Sequence, residues 1–459
     1  MLSTGRIMSR ECRGCSRREL LRAGMLSAVG MSLADLLRSE AAEPPGVVGR
    51  APAKSVILLW LWGGPSHLDS FDMKPKSPVQ YRGPYSPIAS SVPGLDVCEL
   101  LPQIARRAHK FSIIRSLRGP SNDHGIAGTI GLTGDIAGAA SLSGQVLPGI
   151  VKPTHGSIVS RVLGVSPALP RFLALGGNLH QGKRPIKGEG GSGLGAMHDP
   201  FRLDYDLEHG LQIPHLKLLD GLSPSGIDSR ERLLSEFDQL ARRLDRSADI
   251  ERLDQFYQQA FSLLTRSGAR EVFDVERERE PVRRRFGRFR FGQCCLLARR
   301  LVEAGARFVQ VNWSSHVEPV EDGGDGGWDM HDRHFQQFQD RHAWMFDQSL
   351  AALIDDLDER GRLADTVVVA VGEFGRTPKI NNKSGRDHWE HCYSGLVAGG
   401  GLRAGTVVGA SDRLGEHPVT RAFTSADLFA TVLGQLGITT TTLTSNGLLP
   451  QGSPIEELL

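Results

Sequence analysis

The segment from Ala364 to His391 concentrates side chains that bind metals and anions. Its first part is an apolar, β-rich run, Thr366–Val371, that ends at a glycine. Ligands of open α/β sheets bind just beyond the carboxyl ends of the strands, so chemistry placed after such a run predicts a binding site. The chemically active residues that follow the run are Glu373, Arg376, Asp387, His388 and His391.

Three further segments place acidic residues and histidines after predicted strands. They are residues 63–72 (GGPSHLDSFD), 121–125 (SNDHG) and 329–334 (DMHDRH). A single histidine near a turn is more often solvated than bound to a metal. Four such loops at equivalent strand ends favour one composite site. The candidate metal ligands are His67, Asp69, Asp329, His331, Glu373, Asp387, His388 and His391.

This combination of residue types is typical of a metal centre. Imidazole and carboxylate together bind zinc, iron, manganese or nickel. Asp329 and His331 are two positions apart, so on an extended segment they point the same way and can bind one ion. Asp387 and His388 are adjacent and diverge on a strand. One of them can bind the ion while the other binds a neighbouring ion or supports a ligand.

Arg376 has two interpretations. Its guanidinium can hold an anionic oxygen of a substrate, or it can pair with Glu373 across the turn. The chain has no G-x-S-x-G, P-loop or G-x-G-x-x-G pattern in a suitable context. The sequence therefore gives no support for an α/β-hydrolase triad or a nucleotide-binding loop. The hydroxyl groups near the four loops, which are candidate nucleophiles, belong to Ser66, Ser70, Ser121 and Thr129.

Strands and helices that would position these loops alternate along the chain. The predicted strands are Ser55–Trp62, Phe111–Ser116, Phe172–Leu175, Arg307–Trp313, Thr366–Val371, Leu396–Ala398 and Thr406–Val408. The predicted helices are Gly125–Gly134, Asp228–Ser267, Cys295–Glu303, Phe335–Arg360 and Thr424–Leu436. This alternation predicts an α/β fold with a mostly parallel central sheet sandwiched by helices. Residues 176–226 lack periodicity, so we expect a loop-rich and helical insertion around residues 176–280.

Residues 1–42 are predicted to be a targeting segment. Ser16–Leu21 (SRRELL) is typical of a twin-arginine signal. The apolar run Ala23–Leu37 is shorter than the roughly 20 residues that a membrane span needs. We therefore expect a periplasmic or secreted protein, exported by the twin-arginine machinery and without a stable membrane span after cleavage. Residues 43–459 would then form a single domain. The alternative is a basic amphipathic helix on a cytoplasmic protein.

The charge balance argues against nucleic-acid binding. The chain has 54 Lys and Arg against 52 Asp and Glu, a net charge of +2, and binding of nucleic acid is driven mainly by a large positive charge. Removal of residues 1–42 takes away seven arginines and four acids, which leaves 47 against 48, or −1. The remaining cysteines show no zinc-finger spacing and no disulfide framework. They are Cys98, Cys294, Cys295 and Cys392.

Several motifs together resemble a large bacterial family of exported proteins, the domain of unknown function 1501. That family is similar in fold to the alkaline phosphatase and sulfatase superfamily. The resemblance implies a mainly parallel sheet between helices, with one or two metal ions at the strand ends. Besides the twin-arginine leader, the motifs are LWLWGGPSHLDSFDMKP, NDHGIAGTIGLTG, CLLARRLVEAGARFVQVNW, GWDMHDRHF, GEFGRTP and GRDHW.

The motifs depart from the superfamily in two places. Its aspartate directly after the first strand is replaced by Gly63–Gly64, so Asp69 or His67 would have to reach back. Its nucleophile opens the helix that ends in Leu-Thr-Gly, and that position falls near His124 instead of at a Ser, Thr or Cys. The resemblance therefore implies hydrolysis without a covalent phospho- or sulfo-enzyme.

Three metal-binding motifs have partial matches. The superfamily's Asp-x-x-x-His pair is similar to Asp329 with His331, at shorter spacing. Its late Asp-His pair is matched in place by Glu373–Phe374 and in letters by Asp387–His388. His391 resembles its final metal histidine. The resemblance favours Glu373 and His388 as ligands, with Asp387 as a ligand or a supporting group.

We therefore expect an exported metal-dependent hydrolase of phosphate or sulfate esters. Its cofactor would be a divalent ion: zinc, calcium or manganese. Arg376 would stabilise negative charge on the transferring group, and His124 would act as a general base. The substrate would be a small-molecule or glycan ester. The alternative is a non-catalytic member of the same fold that binds an anion or a glycan.

Overall fold

A computed structural model of the chain describes residues 51–164, 169–207, 210–212, 269–319 and 326–459. All of them fall in one compact unit, Pro44–Leu459. The targeting segment, the predicted helix Asp228–Ser267 and much of the predicted insertion lie outside the described residues.

A nine-stranded sheet forms the centre of this unit. In chain order its strands are β1 Ser55–Trp60, β2 Phe111–Leu117, β3 Phe172–Leu175, β4 Phe201–Asp206, β5 Gly210–Gln212, β6 Phe308–Asn312, β7 Thr366–Val371, β8 Tyr393–Ala398 and β9 Val407–Val408. Across the sheet they lie in the order β9-β2-β8-β7-β1-β6-β3-β4-β5. β8 is antiparallel to both its neighbours and β5 is antiparallel to β4, while every other pair is parallel. The predicted mostly parallel sheet is confirmed.

The three central strands end level with one another. Trp60 at the end of β1 pairs with Val371 of β7 on one side and with Asn312 of β6 on the other. All residues of these strands are buried, as expected for parallel strands that are covered on both faces. The loops that follow β1, β6 and β7 therefore start side by side.

Helices cover both faces of the sheet. Ile57 and Leu59 of β1 pack in a core with the helices Arg290–Glu303 and Ala343–Glu359. Val56 and Leu58 pack in a second core with the helices His155–Leu163 and Ser425–Gln435, following the alternation of side chains along a strand. The helices are α1 Val79–Arg82, α2 Pro102–Ala105, α3 His124–Thr133, α4 His155–Leu163, α5 Ala269–Phe273, α6 Glu280–Phe286, α7 Arg290–Glu303, α8 His334–Gln337, α9 Ala343–Glu359, α10 Ser425–Gln435 and α11 Thr440–Ser445.

Helix α3 carries His124 to the end of the sheet. The Asp123 side chain caps the helix by accepting the Ile126 amide. A Cβ atom on Gly131 would lie 2.3 Å from the Trp60 ring, so glycine is required for the helix to approach the strand. This close packing fixes the first residue of α3 near the end of β1.

Several predictions along the chain need correction. Helix α7 begins at Arg290, five residues before its predicted start, and β8 begins at Tyr393, three residues before its predicted start. The predicted helix Phe335–Arg360 begins one residue earlier, with α8, and continues through a π-helical turn, Phe338–His342, into α9. Strands β4 and β5 lie in residues 176–226, where loops were predicted. β4 alternates between buried residues and partly buried or exposed ones because its sequence, FRLDYD, alternates apolar and polar side chains near the sheet edge.

The described residues include no helix that is long and apolar enough to cross a membrane. Cys98, Cys294, Cys295 and Cys392 are buried thiols outside any disulfide.

Candidate metal centre

Three imidazole nitrogens converge on one carboxylate oxygen beyond the carboxyl ends of the central strands. Asp329 Oδ1 lies 3.3 Å from His124 Nε2, 2.9 Å from His331 Nε2 and 3.0 Å from His388 Nε2. The Nε2 atoms of His331 and His388 are 2.9 Å apart. Ligand atoms around a tetrahedral zinc ion with bonds of about 2.0–2.1 Å are separated by roughly 3.3 Å. His124, Asp329 and His388 meet the geometric requirement for sharing one ion.

Each imidazole also has an acceptor at its other ring nitrogen. The contacts, each of 2.7 Å, join His124 Nδ1 to Glu373 Oε1, His331 Nδ1 to Asp387 Oδ1, and His388 Nδ1 to the Asn122 carbonyl oxygen. In the neutral ring, an acceptor at this position favours a proton on Nδ1 and a lone pair on Nε2. Metal-binding histidines are commonly oriented in this way.

The residues present fit a divalent cation. Within the described part of the chain, His124 Nε2 is buried and has no hydrogen-bond partner. Without a proton or a cation between them, three Nε2 lone pairs and an ionised carboxylate oxygen that face the same point repel one another. A cation at that point would convert the repulsion into attraction, and neutral imidazole with carboxylate is a ligand set that zinc accepts.

Local electrostatics also favour a positive ion. Burial lowers the pKa of His388 to about 4, so its ring is neutral at pH 7. Burial raises the pKa of Asp329, but Arg376 and the imidazoles outweigh this and hold that pKa far below its usual range. Burial lowers the pKa of His124, and its two carboxylate neighbours raise it by more. The Asp329 carboxylate raises the pKa of His331 by stabilising the protonated ring, in which both nitrogens donate. Carboxylates that favour a proton on an imidazole favour a metal ion in its place.

Glu373 ties the loop after β7 to the loop after β1. Besides the His124 ring, its carboxylate accepts the Gly63 amide at 3.0 Å. Gly63 has a φ of +108°, and a Cβ atom there would lie 2.5 Å from the Trp328 nitrogen. Glycine therefore allows this backbone to pass directly beside the residue that precedes Asp329. The Gly63 amide thus serves as a backbone donor to the Glu373 carboxylate.

Arg376 is fully buried and points into the protein. Its guanidinium donates to the carbonyl oxygens of Gly63, Gly64 and Arg386, and to Asp329 Oδ1 at 2.7 Å. Its acidic partner is Asp329, whereas the sequence offered Glu373 as the local alternative. In the structure, Arg376 fixes Asp329 against the loop after β1.

Three of the predicted ligands lie outside the cluster formed by Asp329 and the three imidazoles. His67 Nε2 contacts the Gly415 carbonyl oxygen at 2.8 Å. The Asp69 carboxylate is bound by Arg386, with contacts of 2.6 and 3.0 Å. His391 is 43% exposed at the surface. The structure brings none of these three side chains into contact with the imidazole cluster.

The sequence analysis missed two backbone groups that support the cluster, and it gave His124 a different role. The Asn122 carbonyl and the Gly63 amide are backbone groups, so no residue type signals their role. His124, predicted as a general base, lies inside the cluster. Its signal was its place at the start of a helix, directly after the Asp123 cap.

The chain belongs to the family described as Protein of unknown function (DUF1501), whose model matches residues 53–454. The predicted family is confirmed. No curated protein matches the chain.

Solved structures show weak similarity over most of the chain. The PsFucS1 sulfatase from Pseudoalteromonas sp. is 13% identical, with 92% of this chain and 73% of that chain covered and a TM-score of 0.39. The phosphonate monoester hydrolase of Silicibacter pomeroyi is 12% identical, with 84% and 73% covered and a TM-score of 0.35. The alkaline phosphatase from the Antarctic bacterium TAB5 is 10% identical, with 84% and 99% covered and a TM-score of 0.36. Such low scores carry no weight in assigning a function.

Proposed function

We propose that the chain is a metal-dependent hydrolase of phosphate or sulfate esters. The observation that carries this proposal is the convergence of three imidazole Nε2 atoms on Asp329 Oδ1, with each Nδ1 already held by an acceptor. Of the predicted ions, zinc suits this set best. Calcium suits it least because calcium prefers oxygen ligands.

In the proposed centre, His124, Asp329 and His388 would hold the ion. Three protein ligands and an open position are the usual arrangement of a catalytic zinc site. When bound, a divalent ion supplies Lewis acidity that polarises the ester oxygen and lowers the pKa of a coordinated water. Arg376 holds Asp329 in place, and its own charge offsets part of the carboxylate charge.

His331 is the proposed general acid and base. Its side chain is 41% exposed and that of Asp387 is 53% exposed, so a substrate can reach this pair. Nε2 of His331 faces the cluster and can take a proton from an attacking water. Asp387, 2.7 Å from Nδ1, would stabilise the imidazolium that forms. His124 is unsuited to this role because it is buried between Glu373 and Asp329.

Water is the proposed nucleophile. Among the candidate hydroxyl groups, those of Ser66, Ser70 and Thr129 are buried and donate to protein oxygen atoms. A buried hydroxyl that is already bonded is poorly placed to attack a substrate. His124 lies where the superfamily that the chain resembles has its nucleophile. A histidine at this position agrees with direct attack by water.

Export and substrate class belong to the same proposal. The twin-arginine pattern at Arg17–Arg18 supports export to the periplasm or the medium. The half-exposed side of the cluster, at His331 and Asp387, suits the ester end of a small molecule or a glycan. We propose no nucleic-acid partner for a chain with near-balanced charge.

A second candidate function follows from the position of His331. Its Nε2 lies 2.9 Å from Asp329 Oδ1, as close as the Nε2 of His388. If His331 is a fourth ligand, the centre is closed, as in structural zinc sites. The protein would then be a non-catalytic exported binding protein for an anion or a glycan.

Variants of three histidines separate these functions. The wild-type chain should contain one metal ion by elemental analysis and should hydrolyse an aryl phosphate or an aryl sulfate. His388→Ala should lose the metal and the activity, whereas His331→Gln should keep the metal and lose the activity. His391→Ala, outside the cluster, is the control and should keep both.

Each alternative gives a different pattern. A metal-containing wild type without hydrolysis, whose His331→Gln variant loses the ion, supports the closed binding site. A wild type that takes up no divalent ion excludes the hydrolase and the closed metal site alike.

A further inference from the structure

We propose that Asp69 and Arg386 are positioning residues of the metal centre, and that Asp69 acts on it through Arg386 instead of as a ligand. The inference rests on the proposed function because it assumes that the cluster binds a metal. It assigns a role to a buried ion pair that the proposed chemistry does not use.

Asp69 and Arg386 form a two-point ion pair with no solvent exposure. Arg386 Nε lies 2.6 Å from Asp69 Oδ2, and Arg386 Nη2 lies 3.0 Å from Oδ1. Both side chains are fully buried. Such a pair defines the orientation of the guanidinium plane, because both nitrogens must face the carboxylate. It also makes Asp69 a poor ligand, since its oxygens already have partners.

Arg386 holds the segment that carries the exposed side of the cluster. Its guanidinium also donates to the carbonyl oxygens of Tyr81 at 2.8 Å, of Thr377 at 3.0 Å and of Pro378. Asp387 and His388 follow it directly in the chain. A shift of Arg386 would therefore move the partner of His331 and a ligand together.

A second arginine extends this arrangement to the central carboxylate. Arg376 Nη1 donates to the backbone oxygen of Arg386 at 3.2 Å, and its Nη2 donates to Asp329 Oδ1 at 2.7 Å. Residues 375–376 and 388–389 also pair as two short antiparallel strands. Asp69 is thus connected to Asp329 through two buried guanidiniums.

The Asp69 carboxylate also contacts the segment that carries Asp329 and His331. Asp69 Oδ2 lies 3.0 Å from His334 Nε2 and accepts the Ser66 hydroxyl at 2.6 Å. His334 is the first residue of α8, three positions after His331. Burial raises the pKa of Asp69, but Arg386 and His334 outweigh this and keep the carboxyl ionised. One charge therefore links two segments that supply residues to the cluster, residues 329–334 and 375–389.

A matched ion pair elsewhere gives the control. Arg299 on α7 and Asp356 on α9 are both buried, with Nε and Oδ2 2.8 Å apart. Removing one member of a buried pair destabilises a protein, although in Asp356→Asn the Arg299 guanidinium keeps its contacts with Glu278 and Glu303. Asp69→Asn and Asp356→Asn make the same chemical change, but only Asp69 is connected to the cluster.

The test compares zinc affinity, measured by competition with a chelator, in the wild type and the two variants. Both variants should unfold at lower urea concentration. Asp69→Asn alone should raise the Kd for zinc, on the order of tenfold, as for groups that orient metal ligands. The visible spectrum of bound cobalt(II) should change in Asp69→Asn and stay as in the wild type in Asp356→Asn. In the metal-free proteins, amide exchange over residues 375–389 should be faster in Asp69→Asn than in the wild type. In Asp356→Asn it should be unchanged.

The outcomes separate this inference from the proposed function. Equal zinc affinity in both variants overturns the inference that Asp69 positions the metal centre. Complete loss of zinc binding in Asp69→Asn, with unchanged amide exchange, would make Asp69 a ligand and also overturn it. If Asp69→Asn does not fold, Arg386→Lys keeps the charge but loses the two-point contact, and it should show the same weakened affinity. A wild type that binds no zinc refutes the proposed function, and amide exchange then decides whether Asp69 orders the segment.

Discussion

Replacing Glu373 by glutamine tests the metal centre at its most deeply buried carboxylate. Glu373 accepts the His124 Nδ1 hydrogen at 2.7 Å and the Gly63 amide hydrogen at 3.0 Å through the same oxygen, Oε1. Glutamine keeps the shape of the side chain but carries no charge and only one acceptor oxygen. The His124 ring would then be held less firmly with its Nε2 facing Asp329.

The size of the effect follows from these contacts. A hydrogen bond to a charged group contributes about 1.5–3 kcal/mol, and a neutral one about 0.5–1.5 kcal/mol. The difference, about 1–2 kcal/mol, is the expected loss in the free energy of metal binding. Since 1.4 kcal/mol corresponds to a factor of ten, the Kd for zinc should rise about 5- to 30-fold.

Zinc affinity can be measured by competition with a chromophoric chelator at constant pH. Glu390→Gln makes the same chemical change beside His391, outside the cluster, and should leave the affinity unchanged. An unaltered affinity in Glu373→Gln would refute the role of Glu373 in orienting His124. Equal weakening in both variants would show that the effect is not specific to the centre.

Two further predictions concern stability. Gly131→Ala in α3 should lower the free energy of unfolding by about 1–3 kcal/mol, because the new methyl group would lie 2.3 Å from the indole that ends β1. Gly434→Ala in α10 has no atom within 4 Å of the new methyl group and should raise it by about 0.5–1 kcal/mol. Urea denaturation compares the two, and a destabilising Gly434→Ala would contradict the reasoning. Burial lowers the pKa of His155 from 6.5 to about 3, so between these values only the unfolded chain takes up a proton. The stability that depends on a neutral His155 is complete above pH 6.5 and is lost as the pH falls towards 3. Between pH 7 and pH 5 the wild type should lose about 2 kcal/mol more than His155→Gln, and equal losses would exclude this effect.

Much of the central sheet could be predicted from apolar runs. The boundaries of β7 agree with its predicted range, and β6 is one residue shorter at each end than predicted. Such strands are buried on both faces, so their sequences are continuously apolar and easy to recognise. β4, near the sheet edge, alternates buried residues with partly buried or exposed ones, and it was hidden in a region rich in glycine and proline.

Side-chain direction within the loops was harder to predict. Strand ends indicated which loops would meet, but local spacing does not determine which side of a loop faces the centre. Asp69 and His124 show the difference. Asp69 turns to a guanidinium that is distant in sequence, Arg386, whereas His124 is oriented by Glu373, 249 positions away. These partners are known only once the whole fold is known.

The separation of the cluster's residues along the chain has a consequence for folding. The bonds from Glu373 to Gly63 and to His124 span 310 and 249 positions, and contacts of such range form slowly. No fragment that stops before β7 contains the complete cluster. Zinc at a thousand times its Kd would stabilise the native chain by about 4 kcal/mol. The ion would therefore bind only when folding is complete, before the folded chain is exported by the predicted twin-arginine pathway.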